Sequence, residues 1–267
     1  MKSTVTSIFM IALLCISSVT MATDKSEACS RLQASGNAEY PPYLWRSVDD
    51  PSRLTGAIAF MIKDLATALK INIDLIYSGP WGRVQVDMAS GDLDLIAGAF
   101  FTEPRTKYMD YVYPQFQGTR TAVWINTSRP FDFNQWDDLK GHRGITVIHN
   151  SFGQEFDEFA KRNLSIAEVG SLDQGLGMLS AGRVDYLIYE ENPGLANAKR
   201  LGIENITALP TEVTHQDLFL TVSQKSPCNS VKLKADISAI LQKFTNEKRM
   251  QSYLIKALAQ WTAEQEM

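Results

Sequence analysis

Two hydrophobic rhythms exchange along the chain. Over AIAFMIKDLATAL, residues 57–69, apolar side chains recur every three or four positions, so Ile58, Met61, Leu65 and Leu69 share one face. That is the period of a helix with one buried stripe. INIDLIY, residues 71–77, alternates instead and is rich in isoleucine, which predicts a strand. The exchange then repeats. Leu32 to Ser35 predicts a short strand, 84–90 a short helix closed by Gly91, and 92–100 a strand. Further strands are expected at 121–125, 144–148, 166–170, 183–189 and 218–223, with helices over 137–140, 153–162 and 172–181 and from Pro193 onward after Asn192. Two helices close the chain, and in the last one Met250, Tyr253, Leu254, Ala257, Leu258 and Trp261 mark an apolar face. Strands alternating with helices imply an α/β fold with largely parallel sheets.

One plan occurs twice. MASGDLDLIAG (88–98) and LSAGRVDYLIYE (179–190) each end a helix at a glycine, take an apolar residue and an aspartate, then enter an apolar strand. Either the protein has two lobes with related units, or both stretches reflect the common use of glycine at helix ends. In α/β proteins the carboxyl ends of strands hold ligands. The first copy carries Gly98 to Arg105 there; the second carries Glu190, Glu191 and Asn192.

Composition narrows the setting. Lys2, the apolar run from Ile8 to Ile16 and the small residues around Ala22 read as a secretory signal peptide over residues 1–22. The apolar run is too short to span a bilayer, and no stable membrane insertion is expected of the rest. The sequence has 26 basic and 30 acidic residues; with Lys2 removed the balance is 25 against 30, or −5. That argues against nucleic acid as a partner. Cys29 and Cys228 survive cleavage, and an even pair in an oxidising compartment suggests one disulfide, the alternative being two buried thiols.

Arg105 poses the main chemical question. Thr102, Glu103 and Pro104 look like a helix start, where the helix dipole disfavours a cation. Either Glu103 or Asp110 neutralises Arg105, or it awaits an anionic ligand. Tyr40 and Tyr43 flank two prolines in GNAEYPPYLW and form either a stiff ligand wall or packing within their own domain. Trp81 follows a strand and either faces a ligand or caps the core. Asn150 or Ser151 can cap the helix after VIHNSFG, leaving N–H groups for an anion or simply starting the helix. Glu190 can bind an ammonium group, or sit as an acid at a helix start. No nucleophile elbow, phosphate loop or metal-ligand spacing is present, and His142, His149 and His215 are scattered. No catalytic residue, cofactor or metal is expected.

In order and spacing, SGNAEYPPYLW, LTGAIAFMIKDLATAL, PWGRVQVDMASGDLDLIAGAFFTEPRTKYMDYVYP, WDDLKGHRGITVIHNSFG and AGRVDYLIYEENPG resemble the periplasmic solute-binding proteins of polar amino-acid ABC transporters, the bacterial extracellular family-three type. The resemblance implies a two-lobed, type II clamshell joined by two hinge strands. Lobe one would comprise residues 23–120 plus 218–267, and lobe two 121–217. It implies a monomer in the periplasm that takes an amino acid or similar small carboxylate to a permease. Arg105 would clamp the ligand carboxylate. Tyr40, Tyr43, Trp81, Gly98 and Ser151 would join it, and Glu190 would stand where relatives carry an ammonium-binding aspartate. Phe100 departs from the family, which usually has a small hydroxyl residue there. The resemblance leaves two other roles open: a cyclohexadienyl-dehydratase-like enzyme with Glu190 as general acid, and a ligand-presenting sensor component.

Overall fold

The computed structural model describes residues 29–265. The expected signal peptide lies outside them. In chain order the elements are β1 (Arg31–Ser35), β2 (Glu39–Tyr40), β3 (Leu44–Arg46), β4 (Leu54–Thr55), α1 (Ala57–Leu69), β5 (Asn72–Leu75), α2 (Trp81–Ser90), β6 (Leu95–Ala99), β7 (Met109–Asn126), β8 (Arg143–Val147), α3 (Gln154–Asn163), β9 (Ser165–Val169), α4 (Leu172–Ser180), β10 (Tyr186–Glu190), α5 (Glu191–Arg200), β11 (Ile206–Ser223), α6 (Val231–Asn246) and α7 (Arg249–Gln265). Short 3-10 turns lie at Pro104–Lys107 and Trp136–Leu139.

Eight strands form one sheet in the order β5-β1-β6-β11-β7-β10-β8-β9. Its two halves repeat one plan. β1 lies parallel between β5 and β6, and β8 lies parallel between β9 and β10. β6 then pairs antiparallel with β11, and β10 antiparallel with β7. The repeated helix–glycine–strand stretch is therefore part of a repeated βαβ arrangement. Gly91 takes the left-handed conformation at the end of α2, φ 91°, and Gly182 does so after α4, φ 65°; glycine enters that region without steric cost.

β7 and β11 are 18 residues each and pair with one another from Met109–Ser223 to Asn126–Ile206. They are the strands shared by both halves. The expected strands at 121–125 and 218–223 are only their buried ends. In between, residues 113–120 and 209–217 are mostly half-exposed and polar, so a search for apolar rhythm passes over them.

Other boundaries also shift. α2 begins at Trp81 rather than 84. α5 begins at Glu191, so Asn192 and Pro193 lie inside its first turn; a proline is tolerated there because first-turn N–H groups have no helical partner. The expected helix at 137–140 is a single 3-10 turn. α7 buries Tyr253, Ala257 and Trp261 but leaves Leu258 half exposed.

β6 is buried on both faces. Leu95 and Ala97 enter the main core with Ile58, Met61 and Leu65 of α1, whereas Ile96 and Ala99 pack under Trp81, Val84 and Met88 of α2. The β6 end is thus held from two sides where the chain turns toward Arg105. Cys29 and Cys228 form a disulfide, Cα atoms 5.3 Å apart across 199 residues of sequence.

Candidate ligand-binding site

The ends of β6 and β10 meet across a small cavity. Gly98, near the end of β6, has φ 111°, and a Cβ there would come within 3.3 Å of Ile58. The chain then passes through Phe100 into the 3-10 turn that carries Arg105. Glu103, not Thr102, holds the position before that turn, and no side chain caps it. A single turn has little macrodipole, so a cation is less disfavoured than a full helix would make it.

Arg105 is buried at 5% exposure, and its guanidinium is held by neutral acceptors. Nη1 donates to the Phe100 carbonyl at 3.0 Å, Nε to Gln85 Oε1 at 3.3 Å and Nη2 to the His149 carbonyl at 3.4 Å. The Trp81 ring centroid lies 5.3 Å from Cζ. Among the described residues no ion pair involves Arg105 or Glu103. Asp110 pairs with Lys234 instead. A guanidinium has five N–H groups, so these three bonds leave two donors, and its charge acts on the buried carboxyls of Asp157 and Glu190 without forming an ion pair with either.

Arg105 lines a cavity of about 30 Å³ with Asn37, Tyr40, Leu44, Ile58, Trp81, Ala97, Gly98, Phe100, Asn150, Ser151, Glu190 and Leu218. Glu190 enters from the other half of the sheet, at the last position of β10, with 3% exposure. Its Oε2 is buried without a hydrogen-bond partner. Burial pushes the carboxyl up to about 8, against the opposing pull of the Arg105 charge. Tyr40 lies beside it, its phenol raised well above the usual range, first by burial and then by Glu190; it is a neutral hydroxyl wall.

Of the residues the sequence singled out, Tyr40, Trp81, Gly98, Phe100, Arg105, Ser151 and Glu190 line this cavity. Tyr43 does not: its ring lies 5.2 Å from that of Tyr40, tilted by 34°, and its hydroxyl accepts from Asn192 Nδ2 at 2.9 Å. Neither Asn150 nor Ser151 caps α3, whose preceding residue is Gly153. The Ser151 hydroxyl donates to Asp157 and accepts the Gly153 N–H at 3.3 Å, while the Phe152 N–H goes to Asp157 at 2.9 Å. Two N–H groups that an anion could have used are therefore already occupied.

The rim of the cavity joins the two halves. The His149 carbonyl accepts from Trp81 Nε1 at 3.3 Å and Gln85 Nε2 at 3.2 Å as well as from Arg105. His149 itself has φ 61°. On the opposite side Glu39 Oε2 accepts the Leu172 N–H at 2.9 Å, and Asn37 donates to the Tyr189 hydroxyl at 3.2 Å. Asn37, Gln85 and His149 were not singled out from sequence. For Gln85 a signal existed, since it lies one helical turn after Trp81 on the same face; for the left-handed His149 none did.

The model of bacterial extracellular solute-binding proteins, family 3, matches residues 32–266. Among solved structures, a histidine kinase sensor domain with similarity to periplasmic binding proteins aligns with TM-score 0.72 and 19% identity, over 86% of this chain and 95% of that one. An amino acid ABC transporter substrate-binding protein from Streptococcus pneumoniae, bound to L-arginine, aligns with TM-score 0.71 and 18% identity, over 89% and 97%. An ancestral arginine-binding protein bound to glutamine aligns with TM-score 0.69 and 17% identity, over 87% and 97%. No curated protein sequence matches the chain.

Proposed function

The chain belongs to the bacterial extracellular solute-binding proteins, family 3, and from that premise we propose that it binds an amino acid or a similar small polar carboxylate between two lobes. Lobe one is read as residues 23–120 together with 218–267, and lobe two as 121–217. In support, β11 pairs with β6 of the first half of the sheet, β7 with β10 of the second, and the two pair with each other. The protein is exported by the segment 1–22, acts in the periplasm as a monomer and hands its ligand to an ABC permease.

The observation that carries this reading is one cavity with Arg105 on one side and Glu190 on the other. Arg105 retains two donors for a carboxylate, a geometry that favours a bidentate pair. Glu190 offers an unpartnered buried oxygen to an ammonium group. Tyr40, Trp81, Gly98, Phe100 and Ser151 complete the enclosure; Tyr43 supports it from behind Tyr40. Hinge closure around the ligand is the motion expected of such proteins, which are among the general examples of it.

A thermal-shift screen of residues 23–267 against amino acids and small carboxylic acids tests the reading. A ligand at 100 times its Kd stabilises by about 2.7 kcal/mol, and the shift should vanish in Arg105→Ala. Absence of any shift across the panel counts against the reading. Two observations favour other roles. The likeness to a histidine kinase sensor domain supports ligand presentation to a receptor. A Glu190 carboxyl that holds its proton near neutral pH supports a dehydratase, which turnover of prephenate or arogenate would reveal.

A further inference from the structure

We infer that the cleft selects a small zwitterion, the size of glycine, alanine or serine, and that the Phe100 ring sets this limit. The inference rests on the amino-acid reading above and narrows it. The cavity offers about 30 Å³, against the roughly 150 Å³ of a cavity that takes up benzene. Any ligand must part the walls somewhat, and every added atom parts them further.

The walls resist this. Phe100, Leu218, Ile58 and Leu44 are each less than a tenth exposed and close the apolar side. Phe100 is also fixed through its backbone, because its carbonyl accepts from Arg105 Nη1 at 3.0 Å and from the Tyr111 hydroxyl at 2.7 Å. The ring cannot leave by a shift of its main chain without breaking the Arg105 and Tyr111 bonds to this carbonyl. The Phe100 ring thus fills space beside Arg105 that a longer ligand side chain would need.

Two of the polar side chains lining the cavity are already engaged. The Asn37 amide is engaged by the Tyr189 hydroxyl and the Glu39 N–H, and the Ser151 hydroxyl by Asp157 and Gly153. A more open groove of about 350 Å³ lies beyond Arg105, lined by Gln85, His149 and Lys161. Arg105 and Ser151 border both spaces, and Arg105 also bonds to the His149 carbonyl on the groove side.

Isothermal calorimetry of residues 23–267 tests this with glycine, alanine and serine against arginine, glutamine and phenylalanine. The wild type should favour a small member over every large one by about tenfold or more, and Phe100→Ala should shrink that ratio by about tenfold. Phe100→Leu should shift it in the same direction by less, and it carries the test if the alanine variant does not fold, as its melting curve will show. Arginine or glutamine binding to the wild type as tightly as the small ligands overturns the size limit and leaves the amino-acid reading standing. An unchanged ratio in both Phe100 variants overturns the role of the ring. No heat with any amino acid overturns the reading beneath both.

Discussion

Arg105 Nη2 donates to the carbonyl oxygen of His149, 44 residues further along the chain, at 3.4 Å. The contact ties the first strand-end to the second half of the sheet, yet neither carbonyl that Arg105 touches depends on it alone. The His149 oxygen also receives Trp81 and Gln85, and the Phe100 oxygen also receives Tyr111. Buried acceptors that keep a partner avoid the cost of an unmade bond. Arg105→Ala should therefore fold and melt within a few degrees of wild type while losing its ligand. Two hydrogen bonds to a charged group, each worth about 1.5–3 kcal/mol, amount to a hundredfold loss of affinity or more. Calorimetry and a melting curve on the same sample separate the two effects; a variant that still binds tightly would remove Arg105 from the site.

Several parts of this arrangement were legible in sequence because their causes are local. The span 57–69 is a helix with the expected ends, since its apolar face and its termination are written within thirteen residues. β6 and β10 stood out as apolar runs, and Arg105 as a charge following one of them. β7 and β11 did not stand out over their full length. Their middle residues are half-exposed, and Pro114 and Gly118 interrupt any strand pattern. Tyr43 lies outside the cavity for a different reason: its partner Asn192 is 149 residues away. The same holds for Gln85 and His149, 64 residues apart. No local rhythm encodes a contact that exists only when two halves of a sheet close on each other.

Glu190 should make stability depend on pH. Its carboxyl is raised from an ordinary 4.5 to about 8 by burial. The fold thus keeps it protonated where the unfolded chain ionises it. Its contribution is fully present below about pH 4.5 and is lost progressively as pH rises toward 8. Glu190→Gln keeps the shape without the titration, so its melting temperature should fall less over that window than that of wild type. A ligand ammonium facing Glu190 favours the ionised carboxylate, so binding near neutral pH should release a proton. Calorimetry in buffers of different ionisation heat detects that release; identical heats would mean that no cation meets Glu190.

The disulfide should matter to stability more than to binding. Cys29 and Cys228 lie 199 residues apart, and neither lines the cavity. Chain-entropy arguments give about 5 kcal/mol for so long a loop, and typical measured values run from about 2 to 4 kcal/mol. At roughly 2–4 °C per kcal/mol for a domain of this size, reduction or a Cys29→Ala/Cys228→Ala double variant should lower the melting temperature by about 5–15 °C. Ligand affinity measured below the transition should change little. A comparable loss of affinity would place the bridge in the binding mechanism.

Closure should depend on Glu39. This residue sits on β2, and its carboxylate accepts the first N–H of α4, at Leu172, from the other half of the sheet. Its own carbonyl accepts from Asn197 Nδ2 at 3.4 Å and from the Tyr189 hydroxyl at 3.5 Å. Asp173 and Arg200, themselves an ion pair, stand beside the carboxyl with opposite effects. Burial is the largest influence and raises the carboxyl above its ordinary value, outweighing the Leu172 bond. The charge is therefore a cost, and the acceptor supplies one of the ties between the halves. Glu39→Gln keeps the acceptor and removes the charge, so ligand affinity should hold or improve. Glu39→Ala removes the acceptor of the Leu172 N–H while Ser171 still caps α4; a lost hydrogen bond of this kind costs about 0.5–1.5 kcal/mol, or roughly a 2- to 13-fold loss of affinity. X-ray scattering should then show a larger radius of gyration for the alanine variant than for the glutamine one. If both scatter and bind as wild type does, closure is held elsewhere, and the contacts at His149 become the ones to break.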